Sequence, residues 1–251
     1  MPGSAQMTSY LYQLEARLGA DWASIRKARA ATQERRRELS SLAELDVVEL
    51  SALRFGELEP LCLAIPLLDL SRFTFVSVHA PSRFTTEQEP VVIALLNELA
   101  HQGYPVVVHP DVMFHPDQWE GLGERLLIEN MDKRKPTGRT VHELQDLFAT
   151  LPRAGFCFDI GHARQVDPSM TEAALLVRAF QGRLALVHMS EVNTASRHDP
   201  ISPNAVLAFS SVMSTIEVGV PIILESLIDQ SQSDVSSEIA RAKEVFAAVG
   251  V

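Results

Sequence analysis

The chain has 251 residues, of which 46% are apolar and 22% are charged, and its formal net charge is -10. This composition is typical of a globular protein, and the length is sufficient to bury a large core. The negative charge excludes a broad electrostatic attraction to nucleic acid or to an anionic membrane surface, so we expect neither as a partner. No signal-peptide pattern and no apolar run of membrane-spanning length is present in the sequence, which makes the cytoplasm the expected compartment. Cys62 and Cys157 lie in apolar runs and are predicted to be buried thiols, which suits a reducing compartment.

The N-terminal segment carries little pattern. Residues 1–20 are predicted to be a flexible or irregular start, in which residues 9–14 fit either a strand or the beginning of a helix. Residues 21–45 have helical composition and carry six basic side chains between positions 26 and 37. Glu34 interrupts these basic residues, and no aromatic residue lies among them. The pattern therefore favours a solvated outer helix face over a nucleic-acid-binding surface.

From residue 47 onward, short apolar segments alternate with segments of helical composition. The predicted strands span residues 47–51, 73–79, 105–109, 126–130, 155–159, 184–188 and 221–225. The predicted helices span residues 57–65, 90–103, 141–151, 171–180 and 235–249. Thr140 and Glu143 form a capping-box pattern at the start of the third of these helices.

This alternation predicts a parallel sheet covered by helices, because nearly continuous apolar strands are buried on both faces. Seven strands and an uncertain first one, in a chain of this length, favour an α/β fold of the closed (β/α)8 TIM barrel type over an open sheet. No linker divides the pattern, so we predict one domain over residues 1–251. No glycine-rich loop follows any predicted strand, which disfavours nucleotide binding.

Six consecutive predicted strands end in histidine, aspartate or glutamate. In a parallel barrel these ends meet at one face, the mouth at the carboxyl ends of the strands. Asp159 alone fits equally well as the cap of the next helix, but six such residues together are typical of a metal site, because clustered carboxylates raise one another's pKa unless a cation neutralises them. The predicted ligands are His79, His109, Glu129, Asp159, His188 and Glu225. The residues two positions earlier, which alternation places in the barrel interior, are Phe75, Ser77, Val107, Leu127, Cys157, Leu186 and Ile223.

The motifs at these strand ends stand in a recognisable order. They are His79-Ala-Pro81, Val108-His-Pro110, Ile128-Glu-Asn130, Phe158-Asp-Ile-Gly-His162, Val187-His-Met-Ser-Glu191, Arg197-His198 and Leu224-Glu225. Together they resemble the xylose isomerase-like TIM barrel superfamily, which includes endonuclease IV and the sugar isomerases and epimerases. The resemblance covers residue 47 to the C-terminus. It implies a metal-dependent enzyme with one to three divalent ions, of which Mn²⁺, Zn²⁺, Mg²⁺ and Co²⁺ are the candidates.

In the isomerase and epimerase branch, the resemblance implies a single ion that stabilises an enediolate. Glu129 and Glu225 would abstract and return the proton, while His162 and Arg197 would hold substrate oxygens. Glu191 would contact the substrate or support His188. The implied ligands of the ion are Glu129, Asp159, His188 and Glu225.

In the endonuclease IV branch, the resemblance implies three zinc ions and hydrolysis of a phosphodiester. His79, His109 and Glu129 would hold the first ion. The second ion would have the same ligands as the isomerase ion, so Glu129 would bridge the two. His162 and His198 would help to hold the third. The family has aspartate where this chain has Ser196, so the third site is weakened or borrows Asp199. The family also has tyrosine after its His-Ala-Pro motif, where this chain has Ser82.

From the sequence we favour an isomerase or epimerase that acts on a small sugar, sugar phosphate or similar polyhydroxy compound. A phosphoester hydrolase is the alternative, and a barrel that binds a ligand or partner without catalysis is the third hypothesis. The basic loop at residues 132–135 fits a phosphate contact or a solvated loop, and we favour the solvated loop. The sequence leaves a homo-oligomer open.

Overall fold

A computed structural model describes residues 5–7, 46–228 and 232–247 of the chain. The helix predicted at residues 21–45 and the segment at residues 9–14 lie outside these ranges. Within them, no helix combines the length and the apolar character that crossing a membrane requires.

The described strands that build the main sheet are β1 (Ala5–Met7), β2 (Val47–Ser51), β3 (Phe75–His79), β4 (Val106–Val108), β5 (Leu126–Glu129), β6 (Gly155–Asp159), β7 (Leu184–Met189) and β10 (Ile222–Leu224). Two short strands that follow β7 in the chain, β8 (Glu191–Val192) and β9 (His198–Asp199), pair with each other in an antiparallel hairpin. The described helices are α1 (Phe55–Ala64), α2 (Glu89–His101), α3 (Val141–Thr150), α4 (Ile160–Val166), α5 (Thr171–Phe180), α6 (Pro203–Met213) and α7 (Gln232–Ala247).

The main sheet is parallel throughout, with the order β1-β10-β7-β6-β5-β4-β3-β2. β2 through β7, together with β10, curve into a nearly closed barrel, so the predicted TIM barrel architecture is confirmed. β1 pairs with β10, with Gln6 opposite Ile223. This strand lies within residues 1–20, the segment that the sequence predicts to be a flexible or irregular start, of which the structure describes residues 5–7.

Successive side chains along each strand point to opposite faces of the sheet, and this alternation produces two apolar layers. Outward side chains such as Phe156 and Phe158 pack against the helices, while Cys157 between them points into the barrel. Ser77, also predicted to face inward, is fully buried. The apolar residues that fill the interior are Val47, Val107, Leu127, Cys157, Leu186 and Ile223, with Phe75 and Ala185 against them. This cluster matches the interior that alternation predicts, because in a β-strand the parity of a position decides the face on which it lies.

Two features between strands and helices were not predicted. A kinked 3-10 segment, Pro116–Arg125, leads into β5, and its backbone reverses at Gly123 with a φ of 55°. The other is the short helix α4, which begins directly at the end of β6, without a loop. Asp159 caps this helix, in line with one of its two predicted interpretations, by accepting a hydrogen bond from the backbone N–H of His162 at 2.7 Å. The capping of α3 by Thr140 is confirmed, because its hydroxyl accepts from the N–H of Glu143 at 3.3 Å.

Gly161 allows α4 to pack tightly against the end of β7. A Cβ atom at this position would collide with the carbonyl oxygen of Ser190 and would lie 2.8 Å from Cγ2 of Val192. The Ser190 oxygen belongs to the backbone, so it cannot move away at low cost. The absence of a side chain at this position therefore keeps Asp159 and His162 against β7.

We predict that Gly161→Ala lowers the free energy of unfolding by about 1–3 kcal/mol, the usual cost of forcing extra volume into a packed site. Gly182→Ala is the matched control, because a Cβ there meets no atom within 4 Å. Its free energy of unfolding should stay unchanged or rise by up to about 1 kcal/mol, since alanine restricts the unfolded chain. Urea denaturation of both variants measures the difference, and equal midpoints would contradict this packing argument.

Candidate metal centre

The predicted ligands all reach the mouth of the barrel because they stand at the carboxyl ends of parallel strands. His79, Glu129 and Asp159 are the last residues of β3, β5 and β6. His188 is the penultimate residue of β7 and lies opposite Asp159 in the register of the sheet. His109 and Glu225 follow β4 and β10 directly, so the two strands are one residue shorter than predicted at this end.

These side chains form three groups, each of which could hold a metal ion because its ligand atoms lie within 4.8 Å of one another. The groups are His79, His109 and Glu129; Glu129, Asp159, His188 and Glu225; and Asp159, His162 and His198. They contain all eight residues predicted as ligands. Glu129 and Asp159 each belong to two groups, so the three groups adjoin.

Glu129 lies between the first two groups and is 1% exposed. Its Oε2 atom is 3.2 Å from Nε2 of His79 and 3.3 Å from Nε2 of His109. Its Oε1 atom faces the other way, 3.5 Å from Nδ1 of His188 and 3.4 Å from Nδ1 of His162. Each carboxylate oxygen thus serves a different group, which is the geometry of a bridging ligand.

Backbone contacts orient two of the histidines. Nδ1 of His79 donates to the carbonyl oxygen of Ala80 at 2.7 Å, and Nδ1 of His162 donates to the carbonyl oxygen of Asn130 at 2.9 Å. A ring nitrogen that donates a hydrogen bond carries the proton, so the other nitrogen of the same ring keeps its lone pair for a metal ion. Among the remaining ligands, Nδ1 of His198 lies 2.8 Å from the hydroxyl of Ser190.

Asn130 ties the ends of β5 and β6 together. Its side-chain Nδ2 donates to the carbonyl oxygen of Asp159 at 2.8 Å, and its Oδ1 accepts from the backbone N–H of Asp159 at 2.8 Å. Asp159 then caps α4 with Oδ1 alone, and its Oδ2 has no hydrogen-bond partner. The two interpretations of Asp159 are therefore compatible, since one oxygen caps the helix and the other faces the second group.

The donor set fits a divalent cation. Oδ2 of Asp159, Nδ1 of His188 and Oε2 of Glu225 are buried and lack a hydrogen-bond partner, and these three residues belong to one group. Buried polar atoms without partners are costly, and an ion that accepts their lone pairs would remove the cost. Histidine with carboxylate oxygen suits Zn²⁺, Mn²⁺ or Co²⁺ better than an all-oxygen cation such as Ca²⁺.

The electrostatics of the centre favour the binding of a cation. Burial, together with the nearby Glu129 and Asp159, raises the pKa of Glu225 to about 8. Burial lowers the pKa of a histidine, and it lowers that of His198 to about 3. At His79 and His162 the neighbouring carboxylates outweigh burial and raise the pKa to about 9 and about 10. Protons thus substitute for a metal ion in neutralising the carboxylates.

Three further residues lie outside the three groups: Arg197 and Glu191, predicted near the substrate, and Asp199, predicted as a possible ligand of the third ion. Arg197 is exposed, in the loop that joins β8 and β9. Glu191 is half-buried, and its oxygens accept hydrogen bonds from Nη1 of Arg164 at 2.7 Å and from the backbone N–H of Ser202 at 3.0 Å. Asp199 accepts from Nδ2 of Asn193 at 2.8 Å and does not join the third group. The substrate-binding roles of Arg197 and Glu191 stay predictions.

The basic loop after Glu129 is tied to the rest of the mouth. Nζ of Lys135 forms an ion pair of 2.8 Å with Oδ2 of Asp111, and Nη1 of Arg134 donates to the carbonyl oxygen of Ala195. Asp132 is 5% exposed and accepts a hydrogen bond of 2.7 Å from the hydroxyl of Ser196. These contacts join the loop to the segment that carries His198, so the loop is more than the solvated turn that we favoured.

Glu49 is the residue of this region that the sequence prediction missed. It lies in the middle of β2, is fully buried, and faces His188 and Ser77 inside the barrel. Its signal was present in the sequence, because an acidic residue in the middle of the apolar run Val47–Ser51 is unusual for a buried strand. The apolar residues of this run predict a strand but assign no role to the acidic residue among them.

A parallel α/β barrel with clustered histidine and carboxylate side chains at its mouth defines the class of this protein. The chain belongs to the xylose isomerase-like TIM barrel family, whose model matches residues 117–246. This superfamily includes sugar isomerases and epimerases as well as endonuclease IV. No curated protein sequence matches the chain.

Solved structures share the fold at low sequence identity. Endonuclease IV from Thermus thermophilus is 21% identical, with 85% of this chain and 91% of that chain covered and a TM-score of 0.53. A putative sugar phosphate isomerase/epimerase from Anabaena variabilis is 13% identical, with 96% and 88% covered and a TM-score of 0.58. A xylose isomerase-like TIM barrel protein from Mycobacterium smegmatis, solved in complex with magnesium, is 13% identical, with 99% and 97% covered and a TM-score of 0.58.

We predict that a divalent ion displaces protons when it binds. Below the raised pKa values of Glu225, His79 and His162, the metal-free centre holds protons that compete with the ion, so the apparent metal affinity should rise as pH increases between about 6 and 9. Calorimetric titration with Zn²⁺ or Mn²⁺ in buffers of different protonation enthalpy measures the number of protons released. An affinity that is independent of pH, with no proton release, would contradict the assignment of these ligands.

Proposed function

We propose that the protein is a divalent-metal-dependent phosphoester hydrolase with more than one metal ion in its centre. The observation that carries the proposal is Glu129, whose two oxygens face two different ligand groups. A bridging carboxylate between adjacent sites is typical of hydrolases that attack phosphoesters with two or more ions. The sequence alone favours an isomerase or epimerase, and the side-chain geometry shifts our preference to the hydrolase.

His79 and His109 support this preference. Both place Nε2 within 3.3 Å of Oε2 of Glu129, whereas His188 lies 3.5 Å from the other oxygen, Oε1. An enzyme that uses a single ion at the second group has no need of two further imidazoles there. Their position is explained if the first group holds an ion of its own, since neutral imidazole is a ligand for Zn²⁺ and related ions.

The side chains at the mouth would have different roles in hydrolysis. Bound ions would supply Lewis-acid stabilisation of the phosphoryl oxygens and would lower the pKa of a water molecule. Glu129, with Oε1 and Oε2 facing different groups, would fix the spacing between neighbouring ions. The exposed cationic side chains of Lys133 and Arg197 come from the two loops that Ser196 and Asp132 join, and they would attract the anionic substrate.

In the reaction, the water oxygen adds to phosphorus as the ester P–O bond breaks, and the leaving alcohol takes a proton. Ligands that are at most 12% exposed in the first two groups keep bulk solvent away from the reacting atoms. Exclusion of bulk water strengthens the electrostatic stabilisation of the transition state. The proposal covers phosphodiesters and phosphomonoesters and does not choose between nucleic acid and smaller substrates.

An isomerase or epimerase is the second candidate, and the second group is the observation that favours it. Glu129, Asp159, His188 and Glu225 form a complete four-residue set without either His79 or His109. In this candidate Glu129 and Glu225 would move a proton next to a substrate carbonyl. The two candidates therefore differ in whether the first group is needed for activity.

The decisive experiment uses the protein reconstituted with Zn²⁺ or Mn²⁺ and three phosphoesters: bis(p-nitrophenyl) phosphate, p-nitrophenyl phosphate and a duplex with an abasic site. We expect hydrolysis of at least one of them. His109→Ala should lower that rate by more than about 100-fold, the upper range for loss of a residue that only supports a ligand. His101→Ala is the control, because His101 is exposed on α2, and its rate should match that of the wild type.

The same samples test the second candidate. A panel of sugars and sugar phosphates in deuterated water would reveal an isomerase through deuterium at the carbon next to the carbonyl. Deuterium incorporation that survives His109→Ala, without hydrolysis of any phosphoester, would overturn the hydrolase in favour of the isomerase. A wild-type protein that binds no divalent ion would overturn both.

A further inference from the structure

A buried carboxylate lies behind the metal centre, on the side of His188 that faces away from the ligand groups. Glu49 is in the middle of β2, in register with Ser77 on β3 and therefore one layer below His79. Glu49 and His188 are each 0% exposed. A fully buried carboxylate below a metal site needs a partner, because an isolated charge is very costly to bury.

Both oxygens of Glu49 face the same imidazole nitrogen. Nε2 of His188 lies 3.3 Å from Oε1 and 3.4 Å from Oε2 of Glu49, and the hydroxyl of Ser77 donates to Oε2 at 2.7 Å. The opposite nitrogen, Nδ1 of His188, lies 3.2 Å from Oε1 of Glu225 and has no hydrogen-bond partner. The two nitrogens of one ring thus face different environments, a carboxylate behind and the ligand group in front.

The contact crosses the barrel. β2 and β7 are not neighbours in the sheet, because β6, β5, β4 and β3 lie between them in the strand order. No backbone ladder therefore fixes Glu49 relative to His188, and their pairing depends on the side chains alone. Ser77 on the neighbouring strand holds one oxygen of Glu49 and so fixes the direction in which its carboxylate points.

We propose that Glu49 is a positioning residue that holds His188 with its proton on Nε2, so that the lone pair of Nδ1 is directed at a metal ion in the second group. A carboxylate that accepts from the outer nitrogen of a histidine fixes the tautomer and increases the basicity of the inner nitrogen. The inference rests on the proposed metal centre, but it does not depend on which reaction the centre catalyses.

Glu49→Gln tests the inference with almost no change in volume. The amide oxygen still accepts from Nε2 of His188, but the negative charge that increases the basicity of Nδ1 is lost. We expect the affinity for one Zn²⁺ or Co²⁺ ion, measured by competition with a chromophoric chelator, to fall by about 10- to 100-fold. The visible absorption of bound Co²⁺ should change as well, because it reports the ligand field at the ion.

Glu89→Gln is a matched control. Glu89 is also fully buried and also contacts a histidine, with Oε2 2.6 Å from Nδ1 of His115, but His115 lies outside the three ligand groups. A general effect of removing a buried glutamate charge would appear in both variants. We expect the metal affinity and the Co²⁺ spectrum of Glu89→Gln to match those of the wild type. Thermal unfolding of each metal-free variant reports folding separately.

Glu49→Asp keeps the charge but withdraws it from His188 by one methylene group. If Glu49→Gln does not fold, Glu49→Asp answers the question, and a reduced affinity with a changed Co²⁺ spectrum supports the inference. Wild-type affinity in the folded Glu49 variants would overturn the role of Glu49 and leave the proposed function intact. A wild-type protein without metal affinity would overturn the proposed function itself, and the role of Glu49 with it.

Discussion

The structure at the mouth of the barrel depends on one electrostatic constraint, which is the burial of several carboxylates within contact distance of shared histidines. Glu49, Glu129 and Asp159 are at most 1% exposed, and Glu225 is nearly as well covered. Burial disfavours the charged form of each carboxyl group, and neighbouring carboxylates add to the cost. Histidines placed between them offset part of this cost, and divalent ions would offset the remainder. Folding stability alone does not account for this arrangement, because buried charged groups add little net stability to a fold.

The barrel satisfies this constraint through the period of its strands. In each strand the residues alternate between the helices and the interior, so that Leu127 fills the interior while Glu129, two positions later, reaches the mouth. The same spacing relates Cys157 to Asp159 and Leu186 to His188. Apart from Glu49 and Ser77, the layer directly below the ligands is therefore apolar and buried. Exclusion of water from this layer strengthens the charge interactions above it.

Ser196, which stands where the family has aspartate, contacts the loop after β5 near the third group. Ser196 has a left-handed backbone, with a φ of 56°, and its hydroxyl donates to the buried carboxylate of Asp132. The pKa of Asp132 is lowered, since the hydrogen bonds from Ser196 and from the N–H of Arg134 outweigh the effect of burial. A carboxylate thus remains beside this part of the mouth, although it comes from the loop after β5 and not from the segment that carries His198.

Membership of the family limits the reactions that the centre could catalyse. Chains with this fold act as isomerases, epimerases or endonucleases, and identities of 13–21% to the solved structures do not separate the reactions. Our proposal rests on the first group, since His79 and His109 would serve a centre with several ions and are not needed by a centre with one. For this reason the hydrolase and the isomerase are separated by a variant of His109 and not by a variant of Glu129, which both reactions would use.

The sequence by itself indicated the barrel, the layer of side chains in its interior and six candidate ligands, because each follows from local periodicity or from residue type at a strand end. The other two candidate ligands, His162 and His198, were implied only by the family resemblance. It did not determine that α4 starts without a loop, that Ala5–Met7 forms a strand, or that the loop at residues 132–135 is tied to Ala195 and Asp111. It also gave no role to Glu49. That carboxylate meets His188 across 139 positions of sequence and across a barrel in which their strands are not neighbours. Only the closed tertiary structure brings the two together, since no pattern within a single strand encodes a contact across the interior.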